Sequence, residues 1–368
     1  MRILQVNKLY HPAIGGVEHA VKQLADGFHS RGYDVCVLAG TDRVQGTRER
    51  VDGVPVRRIG TIGTVLSTPL APTFPSSLAD AAANADVVHY HLPNPLAVVS
   101  HLLVRPDAPT IVTYHSDIVR QARALRLYRP LLERVLADVN HIITTSPRLR
   151  NNSTLLAPHV GKTSVVPLGI DPEVRDADPV TDPRIEGRPV VLFVGRLTYY
   201  KGVEYLVRAA AQVEDAVFVV VGEGDRRREL EALADSLGVA DRVVFPGYVP
   251  DDDLDRWYAA ADVFALPSVE PSEAFGIVQL EAMARGLPVV NTDLPTGVPW
   301  VSRDGETGLT VPPRDSEDLA DALATLLGDP HLRAECGAAA RQRVREMFTL
   351  EGMLDGVMAV YGDLNIEG

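Results

Sequence analysis

Two glutamates, Glu273 and Glu281, stand eight positions apart at the predicted entrance to a helix over 274–285. The first turn of a helix has unpaired backbone N–H groups and the positive end of the helix dipole, so it can bind phosphate. Gly276, within Phe275–Ile277, leaves the backbone open to a ligand. On one helix, Glu281 would lie about 12 Å beyond Glu273 and roughly 80° round the axis. The stretch therefore predicts a carboxylate, free amides and a second carboxylate in a row, an order that suits a sugar, a diphosphate and a ribose.

Two cations, Arg196 and Lys201, follow the first predicted strand of the second half of the chain. In isolation each would be a solvated surface charge. A departing diphosphate needs fixed positive charge, however, and a guanidinium together with an ammonium can supply it. The two side chains are therefore candidates for binding the diphosphate.

Strand and helix patterns alternate along the whole chain, which is typical of parallel sheets covered by helices on both faces. Short runs rich in Val and Ile predict strands at 2–7, 34–39, 86–90, 110–114, 141–144, 189–194, 216–221, 242–245, 263–266 and 288–291. Helices are predicted at 17–30, 203–213, 226–237, 252–260, 274–285 and 315–327. The fold class is therefore α/β.

The pattern restarts after a segment rich in Pro and Asp, which indicates two domains of similar plan. We assign residues 1–172 to the first Rossmann-like domain, 173–188 to a linker and 189–347 to the second domain. A closing helix at 348–364 is predicted to pack back on the first domain. Ligands of such sheets bind at the carboxyl ends of the strands, so we expect the two parallel sheets to face each other across a cleft that holds the site.

Composition narrows the functional classes. The 368 residues suit two domains, and 46% hydrophobic with 23% charged residues is ordinary for a globular enzyme. No apolar run reaches the roughly 18 residues of a membrane span, and the chain enters a strand pattern at once, so we expect a cytoplasmic protein. Cys36 and Cys336 match no metal or redox spacing.

The net charge of −13 is unevenly distributed, since residues 1–180 carry a balance of +3 and residues 181–368 a balance of −16. The acidic half argues against nucleic acid as a partner. The more basic half leaves room for an anionic acceptor or a membrane surface. Arginines in residues 118–136 accompany apolar side chains, which suits peripheral membrane contact on the cytoplasmic face, but Pro130 is predicted to interrupt that helix, and a plain surface helix is an equal alternative.

Five motifs occur in a fixed order: Gly15-Gly16-Val17-Glu18, Gly195-Arg196-Leu197 with Lys201-Gly202, Val221-Gly222-Glu223-Gly224, Glu273-x7-Glu281 and Asp304-Gly305-Glu306-Thr307-Gly308. Together they resemble the retaining, nucleotide-sugar-dependent glycosyltransferases of family four (group 1), which have the two-domain GT-B fold. The resemblance covers essentially the whole chain.

The resemblance implies a role for each matching position. Gly15 and Gly16 would face the donor phosphates, Arg196 and Lys201 would hold the diphosphate, and Tyr248 and Val249 would hold the base through backbone groups. His115 and Glu273 would act at the donor sugar, Glu281 would bind the ribose, and the amides of Phe275, Gly276 and Ile277 would stabilise the leaving group. His89 and His91 are candidates for the acceptor side.

No cofactor or metal is expected, because cationic side chains and helix amides do that work in similar enzymes. Asp251-Asp252-Asp253 has the D-x-D spacing of metal-dependent glycosyltransferases, but its place before a helical stretch favours capping and dipole compensation. The chain departs from many relatives at Pro295–Trp300, where an expected acid is missing.

The expected function is transfer of a hexose, mannose or rhamnose among the candidates, from a nucleoside diphosphate sugar to a glycan or lipid-linked acceptor. Three alternatives remain open. The two glutamates could be a glycosidase acid and base, although such carboxylates lie about 5–10 Å apart. The chain could also be a nucleotide-sugar epimerase of similar architecture or a non-catalytic binding protein.

Overall fold

The computed structural model describes residues 1–13, 15–65, 68–118, 122–174, 177–182 and 184–364, without the side chains of residues 65, 68 and 122–127. The chain forms two compact units. Unit 1 comprises Met1–Leu168 together with Leu350–Gly368, and unit 2 comprises Gly169–Thr349. The chain therefore leaves unit 1, builds the whole of unit 2, and returns.

Unit 1 contains, among its described residues, an eight-stranded sheet and a small two-stranded ribbon. The strands are β1 (Arg2–Asn7), β2 (Asp34–Gly40), β3 (Thr47–Val51), β4 (Val54–Ile59), β5 (Thr64–Val65), β6 (Thr68–Pro69), β7 (Val87–Leu92), β8 (Thr110–Tyr114), β9 (His141–Thr144) and β10 (Thr163–Val165). The sheet order is β10-β9-β8-β7-β1-β2-β4-β3, parallel except for β3. β7 and β8 are buried at every position, as expected of strands covered on both faces.

The helices of unit 1 cover this sheet. They are α1 (Gly16–Ser30), α2 (Phe74–Ala82), α3 (Pro95–Val104), α4 (Ala122–Asp138) and α5 (Pro147–Asn152), with a 3₁₀ helix at Ala157–Lys162. The last helix of the chain, Leu350–Asp363, also belongs to this unit: Leu354 packs against Gly27 of α1, and Arg31 pairs with Asp355 at 2.7 Å.

Unit 2 has a six-stranded parallel sheet in the order β13-β12-β11-β14-β15-β16. These strands are β11 (Val190–Val194), β12 (Val217–Val221), β13 (Val243–Gly247), β14 (Val263–Leu266), β15 (Val289–Thr292) and β16 (Gly308–Val311). The helices are α6 (Val203–Ala210), α7 (Arg227–Ser236), α8 (Asp251–Ala259), α9 (Ile277–Ala284), α10 (Val298–Val301), α11 (Ser316–Gly328) and α12 (Pro330–Met347), with a 3₁₀ turn at Tyr199–Lys201; the closing helix of unit 1 is thus α13.

The strand order reverses at one place in each sheet. In unit 2 the chain proceeds from β11 outward to β13 and then returns to place β14 on the other side of β11. The loops after β11 and β14 therefore diverge to opposite faces and leave a crevice at their carboxyl ends. In unit 1 the same reversal lies between β1 and β7.

The predicted α/β fold with two parallel-sheet domains is confirmed. The sequence did not reveal the β3–β4 hairpin, since four of the five β3 side chains are exposed and show no apolar alternation. The predicted break at Pro130 is wrong, because α4 continues through it. A proline removes one backbone hydrogen bond, and burial of Leu132, Val135 and Leu136 beyond it compensates for the loss.

None of the described helices is both long enough and apolar enough to cross a membrane. Part of the 118–136 segment, residues 119–121 and the side chains of 122–127, lies outside the described residues. Membrane contact through this segment stays a prediction.

Candidate active site

Lys201 and Glu273 meet at the reversal point of the unit 2 sheet. Lys201 ends the 3₁₀ turn after β11, and Glu273 lies in the loop after β14. Lys201 Nζ and Glu273 Oε2 are 2.6 Å apart, with each side chain about 10% exposed. Ser268 Oγ donates to the same carboxylate oxygen at 3.1 Å. Two residues separated by 72 positions thus form one buried ion pair.

The charges of this pair support each other. Burial alone lowers the pKa of Lys201, but the Glu273 carboxylate outweighs it and the net direction is upward, so the ammonium stays charged. The Arg196 guanidinium opposes this by lowering the pKa of Lys201, which places a second positive charge in the vicinity. An ammonium has three N–H donors, so Lys201 can bind an anion without releasing Glu273.

Backbone contacts fix the Lys201 loop against the loop after β14. Val269 N donates to Tyr200 O at 2.8 Å. Gly202, at φ +64°, lies so close that a Cβ there would be 2.0 Å from Pro267 O. Only glycine fits both the left-handed conformation and this approach, so the short distance between the two loops depends on it.

The backbone between Glu273 and α9 differs from the predicted helix start. The helix begins at Ile277, not at 274, because Gly276 takes a left-handed conformation at φ +71° as its N-cap. Irregular backbone therefore separates Glu273 from the helix, and the 12 Å separation and 80° rotation expected from a continuous helical path do not apply. Among the described residues, no acceptor is present for the N–H groups of Phe275, Gly276 and Ile277. Unpaired amides of this kind can bind an anion.

The segment Pro295–Trp300 supports this loop. Thr296 Oγ1 donates to Glu273 O at 2.8 Å, and Gly297 N donates to Ala274 O at 2.7 Å. From the other side, Gln279 Nε2 donates to Phe275 O at 3.1 Å. Sequence reasoning missed both Thr296 and Gln279. The available signal was a glutamine on a predicted apolar helix face, and the structure buries it.

Glu281 lies inside α9 and has a partner of its own. Tyr258 Oη donates to Glu281 Oε2 at 2.8 Å, and burial raises the pKa of Glu281. The Arg285 guanidinium stacks 4.6 Å from the centroid of the Tyr258 ring and pairs with Asp255. Sequence reasoning did not identify Tyr258, which is buried on α8 and reaches Glu281 only in the folded unit.

The remaining donor-side positions are spread over both units. Tyr248 and Val249 follow β13, with Tyr248 61% exposed. Gly15 and Gly16 stand at the start of α1 in unit 1, where Gly15 is the N-cap. Within the described part of unit 2, no hydrogen bond or ion pair joins Tyr248 or Val249 to Lys201 or Glu273. The donor roles of all four positions stay predictions.

His115 lies in unit 1 directly after β8, only 4% exposed. Its Nε2 is 3.0 Å from His91 Nδ1, and His91 Nε2 is 2.7 Å from Gln5 Oε1. Burial lowers the pKa of His115 to about 4 and that of His89 to about 3, and it also lowers the pKa of His91. All three rings are therefore neutral at physiological pH.

Asp251, Asp252 and Asp253 occupy the first turn of α8, where their negative charges interact favourably with the positive end of the helix dipole. The expected side-chain cap is absent from this helix: Pro250 is the N-cap, and it has no side-chain donor or acceptor. Among the described residues, no group of three or more His, Cys, Asp or Glu side chains is arranged to hold a metal ion.

We expect Glu281→Gln to stabilise the protein while weakening nucleotide binding. A partly buried carboxyl with a raised pKa destabilises the native state at pH 7, and an amide keeps an acceptor for Tyr258. The melting temperature should rise by roughly 1–4 °C, an advantage that shrinks as the pH falls and the native carboxyl protonates. Scanning calorimetry and a nucleotide titration test this, with exposed Glu214→Gln as the control; a lower melting temperature would contradict it.

The buried histidines should make unfolding depend on pH. Unfolded histidine titrates near 6.5, so between about pH 6.5 and pH 4 the unfolded chain binds protons that native His89, His91 and His115 do not. Stability therefore falls as the pH falls, by about 1.4 kcal/mol per pH unit per histidine. In denaturant titrations from pH 7 to pH 5, His89→Gln should reduce this slope by about one proton, with exposed His331→Gln as the control. An unchanged slope in His89→Gln would refute the assignment.

Comparisons with known proteins agree with the geometry. The family model described as Glycosyl transferase 4-like domain matches residues 15–169, and that described as Glycosyl transferases group 1 matches residues 175–343. The chain is 34% identical to O-antigen chain mannosyltransferase C of Escherichia coli, over 99% of each chain. It is 36% identical to D-rhamnosyltransferase WbpZ of Pseudomonas aeruginosa, over 95% of this chain and 92% of that one.

Among solved structures, sucrose-phosphate synthase from Thermosynechococcus elongatus superposes with a TM-score of 0.81 at 26% identity, over 99% of each chain. Family models thus match both halves, and full-length relatives exceed 30% identity. The chain therefore belongs to the group 1 glycosyl transferases, the family-four enzymes of GT-B fold that its motifs resemble, and it is a hexosyltransferase.

Proposed function

We propose that this enzyme transfers mannose or rhamnose, with retention of anomeric configuration, from a nucleoside diphosphate sugar to a growing surface glycan or its lipid-linked precursor. The observation that carries the donor assignment is the buried Lys201–Glu273 pair beside the unpartnered amides of Phe275–Ile277. It supplies fixed positive charge for a diphosphate and a carboxylate that can accept from sugar hydroxyls.

The leaving group accumulates negative charge as the sugar departs. Lys201, Arg196 and the helix α9 amides stabilise that charge most strongly when the bond to the sugar is breaking. Because Glu273 is held by Lys201 and Ser268, its carboxylate is already oriented when a donor arrives. Glu281, oriented by Tyr258, binds the ribose hydroxyls.

Retention follows from attack on the face that the diphosphate leaves. The bond from the anomeric carbon to the phosphate oxygen breaks, the bond to the acceptor oxygen forms on the same face, and the acceptor proton passes to the departing phosphate. Glu273 is engaged with Lys201 rather than offered as a nucleophile, which supports this route. His115 would act at the donor sugar as a neutral ring, a role that comes from the family resemblance.

The sugar and acceptor classes rest on the relatives. An O-antigen mannosyltransferase and a D-rhamnosyltransferase are both aligned along nearly the whole chain. Mannose and rhamnose share the arrangement at the second carbon and differ at the sixth, so one donor site can be close to both. We further propose that transfer needs no resident metal, because Lys201, Arg196 and the α9 amides provide the positive charge.

A transfer assay tests the proposal. Purified enzyme is incubated with GDP-mannose, GDP-rhamnose or UDP-glucose and a lipid-linked glycan acceptor, and release of nucleoside diphosphate is followed with and without EDTA. We expect acceptor-dependent release that persists in EDTA. Lys201→Met should lower kcat/KM by about 100-fold or more, and Glu273→Gln by roughly 10–100-fold.

Two matched variants control for the loss of a charge. Lys22 is ion-paired with Asp26 in unit 1, and Glu214 is exposed in unit 2, so Lys22→Met and Glu214→Gln should retain activity. Isomerisation of the donor without acceptor would indicate an epimerase. Donor binding without turnover by any glycan acceptor would contradict the proposed transfer.

A further inference from the structure

Three histidine rings stack in the buried interior of unit 1. His89 and His91 lie two positions apart on β7 and so project from the same face of the sheet, and His115 follows the neighbouring strand β8. The ring centroids of His89 and His91 are 4.7 Å apart, and those of His91 and His115 are 5.3 Å apart. A neutral imidazole has one donor nitrogen and one acceptor nitrogen, so each ring needs partners of the right kind.

The direction of the hydrogen bonds in this network can be followed from Tyr361, on helix α13. Gln5 Nε2 donates to Tyr361 Oη at 3.4 Å, and Tyr361 Oη lies 2.7 Å from His89 Nδ1. With Gln5 donating to it, the hydroxyl of Tyr361 has His89 Nδ1 as its one acceptor among the described residues, so its proton goes to His89. His89 Nδ1 is then an acceptor, and His89 Nε2 donates to Thr113 Oγ1 at 2.7 Å.

The other end of the Gln5 amide sets the second branch. With its NH₂ group on Tyr361, Gln5 presents Oε1 to His91 Nε2 at 2.7 Å. An amide oxygen only accepts, so His91 Nε2 carries the proton and His91 Nδ1 does not. His91 Nδ1 must therefore accept from His115 Nε2 across their 3.0 Å contact.

We propose that Tyr361 and Gln5 are positioning residues for transfer, which act through His91 to fix His115 as the Nε2–H tautomer and leave its Nδ1 as a hydrogen-bond acceptor. Among the described residues, no hydrogen bond is made by His115 Nδ1. That nitrogen can accept from a hydroxyl group of the donor sugar. This last step rests on the proposed function, whereas the tautomer does not.

The same atoms allow the opposite polarity if the Gln5 amide is reversed. Gln5 would then donate to His91, every bond along the branch would change direction, and His115 would carry its proton on Nδ1. A hydroxyl oxygen, rather than a hydroxyl proton, would then be bound. The two states therefore differ in which ring nitrogen of His115 carries the proton, Nε2 or Nδ1.

The experiment is a long-range ¹H–¹⁵N correlation spectrum of the full-length, ligand-free protein labelled with ¹⁵N-histidine. We expect the His115 Nδ1 shift of an unprotonated nitrogen and the Nε2 shift of a protonated one. In Tyr361→Phe the amide loses its anchor, so the His115 shifts should move toward a mixture of tautomers. The kcat for transfer should fall about 5-fold with donor KM changed less than about 2-fold, as for one lost hydrogen bond.

Tyr10→Phe is the matched control. Tyr10 is also buried in unit 1, but its hydroxyl has no hydrogen-bond partner among the described residues, so the His115 shifts should stay unchanged. If Tyr361→Phe does not fold, Gln5→Leu interrupts the same branch next to His91. A protonated Nδ1 in the native protein, or unchanged His115 shifts in a folded Tyr361→Phe, would overturn the proposal. A native protein with the expected tautomer but without transfer activity would refute the proposed function alone.

Discussion

The buried ion pair between Lys201 and Glu273 is the interaction on which the donor side depends. Removing two charges from water is unfavourable, and a buried pair is rarely a net source of stability. Its geometry here is supplied by neighbours that have no charge: Gly202 lets two loops approach, and Thr296 and Gln279 hold the backbone around Glu273. The surrounding fold is thus arranged to keep a charged contact in place, as expected where electrostatic preorganisation matters more than stability.

Several polar groups whose burial reduces stability lie near the carboxyl ends of strands. In unit 2 these are Lys201 and Glu273, in the loops after β11 and β14. In unit 1 they are the neutral histidines of β7 and the residue after β8. Most other buried strand positions hold Val, Ile, Leu or Phe, which bury apolar surface without such penalties. Each unit therefore gains its stability from the sheet interior and carries its chemistry at the ends of the strands.

Much of this architecture was predictable, because a parallel sheet leaves a clear apolar signal. The predicted strands at 2–7, 110–114, 141–144 and 263–266 agree with β1, β8, β9 and β14 to the residue, and the family resemblance is confirmed.

The tertiary contacts of the site were not predictable from local patterns. Lys201 and Glu273 were each identified as candidates, but their contact was not. It depends on the strand order that places β14 beside β11, which local patterns do not encode. The start of α9 was misplaced by three residues, because the left-handed backbone at Gly276 is a tertiary feature. Tyr361 and Gln5 were missed for the same reason, since 356 positions separate them.

The most direct test of the central claim is the affinity of ligand-free enzyme for GDP and UDP, measured by calorimetry in the native protein, Lys201→Met and Glu273→Gln. In this account Lys201 binds the diphosphate, whereas Glu273 orients Lys201 and binds the sugar hydroxyls. Lys201→Met should therefore bind the preferred nucleotide at least about 30-fold more weakly than the native protein. Glu273→Gln, which keeps an acceptor for Ser268 and releases Lys201 from its carboxylate, should bind that nucleotide at least as tightly as the native protein. An equal loss of affinity in both variants would mean that Glu273 only maintains the loop, and it would contradict the division of roles within the pair.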